Sequence, residues 1–183
     1  KEILHGIDLD VRAGEVLAVA TLVNWAWFPL LREPRWLFRM DILQCVGLCL
    51  LIVLPVAALL STRPRTLSAV AFLLAMATFA VSPLGEQVDG PWATLTEKSS
   101  FAPFPLLPWL GYAWLGVFAG TAAGAWGRAG LTKALLVLMA LGLMGAVLGD
   151  FLYGLYPPHR FFVANPSNAA ARFGWVSTVL LLL

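Results

Sequence analysis

The stretch that decides the fold is ILQCVGLCLLIVLPVAALLS, which occupies Ile42–Ser61 and contains no charged side chain. Because an α-helix rises about 1.5 Å per residue, roughly 20 apolar residues cross a hydrocarbon layer that is ~30 Å thick. Lipid offers no hydrogen-bond partner to the backbone, so a crossing segment must satisfy its own amides, as a helix does. This stretch therefore predicts a transmembrane helix, with Pro55 tolerated as a kink.

Four further apolar runs repeat the pattern, and the charged residues lie mostly in the gaps between them. The runs, each with at most one charge, are Val16–Leu31, Leu67–Leu84, Leu106–Trp126 and Ala134–Tyr153. The last segment, Gly174–Leu183, is about half a crossing long, and the chain begins with Lys1, so we expect a fragment of a larger membrane domain. The sequence predicts an all-α, polytopic transmembrane helix bundle with five complete spans and a truncated sixth.

The composition argues against several classes of function. Hydrophobic residues make up 60% of the chain and charged residues 12%, as expected for a protein that faces lipid. A net charge of +2 without a basic run predicts no nucleic-acid partner. Cys45 and Cys49 are one helical turn apart, which does not suit a disulfide, and no histidine stands near them to share a metal. We interpret them as buried free thiols and predict no metal site and no bound cofactor.

The first twenty residues differ from the rest. Residues 1–15, KEILHGIDLDVRAGE, alternate apolar and polar side chains as a strand does, with a turn at Ala13–Gly14. With the following VLAVA they resemble the opening strands of an ABC-transporter ATPase, but the phosphate-binding loop that such strands lead into is missing. We therefore predict that residues 1–20 are an ABC-like leader without a fold of its own, joined to a membrane domain over residues 21–183.

Glycines recur at helical spacing in the fourth and fifth runs. Gly116, Gly120 and Gly124 repeat every four residues, and the fifth run contains Gly142, Gly145 and Gly149. Small residues at this spacing let helix backbones approach closely in lipid. We predict that both glycine faces meet another helix; the alternative is that a substrate or a lipid tail lies along the glycine groove.

Polar residues near the start of the second run are candidates for a site. Asp41 and Gln44 lie on one helical face, Arg39 immediately precedes them, and Asn24 lies within the first run. An ionisable group at the edge of hydrocarbon usually faces the bundle interior or a wet cavity. The alternatives are that Asp41 caps a helix N-terminus and that Asn24 makes a bond between helices.

The predicted topology brings Trp109, Asp150 and Arg172 to the same membrane face as Asp41, so these residues complete the candidate polar cavity. Asp150 lies at the end of a helix, where a carboxylate opposes the dipole, which suggests a basic partner that either Arg160 or Arg172 could supply. His159 stands alone near this face, and no Ser-His-Asp order or carboxylate pair accompanies it. The sequence assigns no catalytic residue.

Four stretches together carry a family resemblance: LVNWAWFP, RWLFRMDILQCVGLCLLI, FAPFPLLPWLGYAWLGVFAG and NPSNAAARFGWVSTVLLLL, at residues 22–29, 35–52, 101–120 and 165–183. Residues 21–183 resemble the bacterial branch of the heparan-α-glucosaminide N-acetyltransferase catalytic-domain family. The resemblance places ten residues in the family's motifs: Arg39, Asp41 and Gln44; Phe104, Pro105, Pro108, Trp109 and Gly111; and Arg172 with Gly174.

The resemblance implies a multi-span membrane enzyme that moves an acetyl group from acetyl-CoA to an amino sugar. The family's proposed acetyl-carrying histidine follows its first span, and nothing in this sequence matches it, so His159 does not take that role. We predict a membrane-embedded acyltransferase of the bacterial inner membrane with acetyl-CoA as donor and a sugar or cell-envelope glycan as acceptor. The alternatives are a transport permease linked to an ABC ATPase piece and a non-catalytic membrane scaffold.

Overall fold

The computed structural model describes residues 15, 18–19, 21–23, 40–89, 93–96 and 102–182. Within them the chain is all-α, as predicted, and none of these residues lies in a strand. The strand-like part of the leader, residues 1–14, lies outside the described residues; Glu15 is helical, and so are Ala18 and Val19 of the predicted first span. The helices are α1 (Ile42–Leu59), α2 (Pro64–Gly85), α3 (Ala93–Thr96), α4 (Leu106–Val147), α5 (Gly149–Gly154), α6 (Phe161–Ala164) and α7 (Pro166–Leu182).

Local chemistry sets the ends of the first two helices. Asp41 is the N-cap of α1, where its side chain accepts a hydrogen bond of 2.7 Å from the backbone N–H of Ile42. Pro64 is the first residue of α2, where a backbone N–H would have no carbonyl partner within the helix, so proline costs no hydrogen bond there. Much of the surface of α1 is exposed Leu, Ile and Val, which is the surface that a lipid-facing helix needs.

The chain reverses within α4, at Gly127. This glycine has φ +61°, a left-handed conformation that other residues rarely adopt. A Cβ added to Gly130 would contact the carbonyl oxygen of Ala122, which would be ~12 Å away along a continuous helix. The two arms of α4 therefore fold back on each other as a hairpin, with Trp114 and Leu115 of the first arm packing in the same core as Leu138 of the second.

The number of separate spans is lower than predicted. Three helices of the described part, α1, α2 and α4, are long and apolar enough to cross a membrane. The count of five fails because the fourth and fifth predicted spans are joined through Gly127 without a loop, and the first predicted span lies largely outside the described residues. The predicted truncated sixth span belongs to α7, which begins earlier than expected, at Pro166.

The core lies where α2 and α7 pack against α4. Phe79 of α2 contacts Tyr112 of α4 edge-on at a ring distance of 5.0 Å, and it also lies 5.8 Å from the ring of Phe173 in α7. The central cluster consists of Val53, Ala71, Ala75, Phe79, Trp114, Leu115, Leu138, Ala169 and Phe173. A second cluster joins Met40, Cys45, Cys49 and Ala102, and both cysteines are buried free thiols, as predicted.

The prediction of close glycine packing is confirmed for Gly142 and Gly145 in the second arm of α4, whereas Gly116, Gly120 and Gly124 in the first arm meet no other helix among the described residues. A Cβ on Gly142 would lie 2.5 Å from the Cα of Gly174, and one on Gly145 would lie 2.5 Å from the Cβ of Ala170, so this arm meets α7 backbone to backbone. No described atom lies within 4 Å of a Cβ added to Gly116, Gly120 or Gly124. The four-residue repeat therefore marks an open stripe in this part of the structure rather than a helix contact.

Candidate functional site

One end of the bundle gathers most of the polar side chains, and we call it the loop face. It comprises the N-terminal ends of α1, α4 and α7, the C-terminal end of α2, and the connecting residues 86–89, 93–96, 102–105 and 148–165. These ends lie together because α1, α2 and the two arms of α4 alternate in direction along the chain. The predicted site residues that the structure describes all lie on elements that reach this face.

A groove runs from the loop face into the bundle between α4 and α7, and we call it the α4–α7 groove. Its volume is about 380 Å³. At the loop face it is lined by Trp109, Tyr112 and Arg172, so the structure brings together two of the residues in the predicted cavity. The rings of Trp109 and Tyr112 lie 5.7 Å apart. The rest of the lining is nearly all apolar: Leu115, Gly116, Ala119, Leu135, Leu138, Phe173, Val176, Ser177 and Leu180.

Arg172 is held at the mouth of this groove by neutral partners. Its Nη2 donates a hydrogen bond of 2.8 Å to the carbonyl oxygen of Phe162, and its guanidinium interacts with the hydroxyl of Tyr112. Asp150 is exposed on α5 and does not line the groove. The basic partner that the sequence suggested for Asp150 is therefore not Arg172 in this structure.

The polar residues at the start of α1 take two different positions. Asp41 is half-buried and caps the helix, which is one of the two alternatives that the sequence left open. Gln44 is buried on the inward face, close in sequence to Cys45 and Met40 of the second core cluster. Arg39 and Asn24 lie outside the described residues. A cavity shared by all of these side chains stays a prediction.

His159 anchors the connection between α5 and α6. The ring is buried; its Nδ1 lies 2.8 Å from the carbonyl oxygen of Pro157, and its Nε2 lies 3.0 Å from Nδ2 of Asn165. These partners fix a neutral tautomer in which Nδ1 donates to the carbonyl and Nε2 accepts from the amide. With both ring nitrogens engaged by the loop itself, the imidazole holds the connection between α5 and α6 together.

Asn165 makes the central contacts of this brace, although the sequence analysis did not single it out. Its side chain is 1% exposed, and its Oδ1 accepts hydrogen bonds from the backbone N–H and from the hydroxyl of Ser167 at the start of α7. An asparagine directly before a proline at a helix start is a recognisable capping signal. Its contact with His159, six residues earlier, depends on the fold of the loop.

The end of α2 adds a carboxylate that the sequence placed only in a gap. One oxygen of Glu86, Oε2, accepts a hydrogen bond of 2.7 Å from the backbone N–H of Arg160, and this contact ties α2 to the 155–165 connection. The other oxygen, Oε1, is buried and has no hydrogen-bond partner among the described residues, and the same holds for the hydroxyls of Ser82 and Thr96. Buried oxygens of this kind normally bind ordered water, so this corner of the loop face suits internal water.

The described residues contain no group of three or more His, Cys, Asp or Glu side chains that could hold a metal ion. The described polar side chains at the loop face carry carboxylate, amide, hydroxyl, phenol, imidazole and guanidinium groups. Tyr112 is the groove residue that sequence reasoning missed. The sequence feature that could have identified Tyr112 is its position three residues after Trp109, on the same helical face.

Comparison with known proteins assigns a family to most of this chain. The family described as heparan-alpha-glucosaminide N-acetyltransferase, catalytic, matches residues 8–149. No curated protein and no solved structure gives a match. The family match begins within the leader, and it supports neither the ABC-ATPase resemblance of residues 1–20 nor the assignment to a bacterial branch. It ends at the start of α5, so Arg172 and the rest of α7 lie beyond it.

Proposed function

Because the chain belongs to the heparan-α-glucosaminide N-acetyltransferase catalytic-domain family, we propose that it is part of a membrane-embedded acetyltransferase. The observation that carries this proposal is the family match over residues 8–149 of a chain with three apolar helices long enough to span a bilayer. We further propose acetyl-CoA as the donor, a sugar or cell-envelope glycan as the acceptor, and the inner membrane of a bacterium as the location. No observation supports the transport alternative.

The loop face is the part of the structure that suits this reaction. Acetyl transfer to an amine breaks the thioester C–S bond, forms a C–N bond and removes a proton from the attacking nitrogen. Both substrates are polar, so they need a wet, polar surface at the membrane boundary rather than the lipid-facing sides of the bundle. We propose that Arg39, Asp41 and Gln44 form one wall of that surface with Asn24, and that Trp109, Asp150 and Arg172 lie on the other side.

Asp41 gives the sharpest test, because its capping role can be separated from its charge. Asparagine caps a helix about as well as aspartate, so Asp41→Asn keeps the bond to the N–H of Ile42 and removes only the charge. Asp41→Ala removes both. If Asp41 serves the reaction through its charge, Asp41→Asn will keep the folded yield and lose most of the acetyl transfer.

The experiment measures transfer of a labelled acetyl group from acetyl-CoA to glucosamine, with the full-length protein reconstituted in vesicles. Folded yield is measured in parallel by size-exclusion chromatography in detergent. Two exposed residues serve as matched controls. Asp89→Asn, near the same face, is the control for Asp41→Asn. Arg63→Ala, at the opposite end of the bundle, is the control for Arg39→Ala. Equal losses of yield and activity in the Asp41 variants would mean a structural role, and absence of transfer in the unmodified protein would favour the scaffold alternative.

A further inference from the structure

The α4–α7 groove has a geometry that the acetyl-transfer proposal does not use. Each helix presents one face to it: Trp109, Tyr112, Gly116 and Ala119 follow each other at helical spacing on α4, and Arg172, Val176 and Leu180 do so on α7. The floor is low because Gly116 and Ala119 have little or no side chain. Gly116 has no described atom within 4 Å of an added Cβ, so the space beside it is open.

The length of the groove matches one leaflet of a bilayer. Trp109 and Ala119 are ten residues apart on one helical face, which corresponds to about 15 Å along the axis. Half of a hydrocarbon core is also about 15 Å. The groove begins at the loop face, where the helices start, and therefore covers the depth that one lipid chain occupies in that leaflet.

The polar groups of the groove are concentrated at its mouth. Deeper in the groove the hydroxyl of Ser177 donates to the carbonyl oxygen of Phe173, one turn earlier in its own helix, so it offers no donor to a ligand. At the mouth, Arg172 presents a guanidinium whose described partners are a carbonyl and a phenol. A guanidinium has five N–H donors arranged to bind phosphate through two of them, and the bond from Nη2 to Phe162 occupies only part of that capacity.

From this arrangement we propose that the α4–α7 groove binds a phospholipid, with one acyl chain against Gly116 and Ala119 and the phosphate at Arg172. The apolar length selects the chain and the guanidinium selects the phosphate. The mouth of the groove shares Trp109 and Arg172 with the proposed acetyl-transfer surface, whereas its apolar length lies outside that surface, so lipid binding there does not require the chain to be an enzyme. Trp109 lines the mouth with 40% of its surface exposed, which makes it a reporter within the site.

The test uses quenching of tryptophan fluorescence by brominated lipid chains. The full chain is held in dodecyl maltoside micelles, which contain no phosphate, and is titrated with phosphatidylglycerol or with diacylglycerol that carries the same brominated chain. The signal from Trp109 is the difference between the unmodified protein and Trp109→Phe. Because a charge-assisted hydrogen bond is worth about 1.5–3 kcal/mol, phosphatidylglycerol should reach half-quenching at a concentration about tenfold or more below that of diacylglycerol.

Two pairs of variants separate the site from general effects. Gly116→Leu fills the groove and should abolish the Trp109 signal, whereas Gly124→Leu, which adds the same side chain to another open position on α4, should leave it unchanged. Arg172→Gln should remove the preference for the phosphate-bearing lipid. Asn168→Ala deletes a second hydrogen bond to the carbonyl oxygen of Phe162 without removing a charge, and it should keep the preference.

Three results would overturn the proposal. Equal half-quenching concentrations for the two lipids would mean that Arg172 does not select phosphate. Loss of the preference in Asn168→Ala as well as in Arg172→Gln would mean that the effect comes from the loop rather than from the charge. A change from dimer to monomer in Gly116→Leu by native mass spectrometry, without lipid quenching of Trp109, would assign the groove to a second copy of the chain.

Discussion

Replacing Gly142 by alanine should destabilise the fold, because the added methyl group has no room between α4 and α7. Its carbon would lie 2.5 Å from the Cα of Gly174 and 2.9 Å from the carbonyl oxygen of Ala170. Non-bonded carbons pack best at about 3.5–4.0 Å, so α7 must move away by on the order of 1 Å. A gap of that size costs the neighbouring contacts about a quarter to a half of their attraction.

The net effect follows from two opposing terms. Overpacking of this kind costs about 1–3 kcal/mol, while alanine improves on glycine in a helix by about 1 kcal/mol. The matched control is Gly124→Ala, which gains the same helix propensity but meets no described atom within 4 Å. The free energy of unfolding of Gly142→Ala should therefore be lower than that of Gly124→Ala by about 1–3 kcal/mol, since the propensity term cancels in the comparison.

The assay is equilibrium unfolding in mixed micelles, in which the proportion of dodecyl sulfate is raised and helix content is followed by circular dichroism. Both variants are compared with the unmodified protein at the same detergent concentration. If both unfold at the same dodecyl sulfate fraction, the backbone contact between Gly142 and Gly174 does not contribute to stability and the packing argument is wrong.

Two further substitutions and one labelling experiment have expected outcomes. Gly127→Ala should lower the free energy of unfolding by about 1 kcal/mol or more because φ is +61°, whereas Gly154→Ala, in open space at ordinary φ, should not. The dodecyl sulfate titration measures both, and equal effects would contradict the need for a left-handed glycine at the reversal of α4. Asn165→Ala should cost about 1–3 kcal/mol in thermal unfolding because it leaves buried partners unsatisfied, and an unchanged melting temperature would exclude the brace. Cys45 and Cys49 should resist a membrane-permeant maleimide until the protein unfolds, as measured by mass spectrometry; rapid labelling of the folded protein would contradict their burial.

The sequence was sufficient to predict the fold class because the membrane imposes one rule on every segment. A run such as Ile42–Ser61 must be helical, and the observed helix α1 agrees with it to within two residues at its end. Span counting was less secure. Arg128 and Lys133 mark the break after Trp126, but the gap is short and glycine-rich, so neither charge nor length distinguishes a sharp reversal inside one helix from a short loop between two.

Glycine spacing illustrates what a linear pattern leaves undetermined. Gly116, Gly120 and Gly124 have the more regular repeat, yet Gly142 is the glycine that meets another backbone. The difference lies in the partner: α7 carries Gly174 and Ala170 at the matching depth, and the described residues provide no such helix beside the other arm. A stripe of small residues permits two helices to approach closely, but they do so only where the neighbouring helix also has small residues at the contact.

The candidate site, too, could be predicted from the sequence only in part. Topology alone brought Trp109 and Arg172 to one membrane face, because helices that alternate in direction return their ends to the same side. It could not show that their side chains share a groove with Tyr112, or that Asp150 faces away from it. That information depends on helix rotation, which is set by contacts such as Phe79 with Tyr112. A polar residue near hydrocarbon therefore predicts at what depth in the membrane a site lies better than it predicts which side chains form the site. Which side chains form it has to be argued from the residues that pack around them.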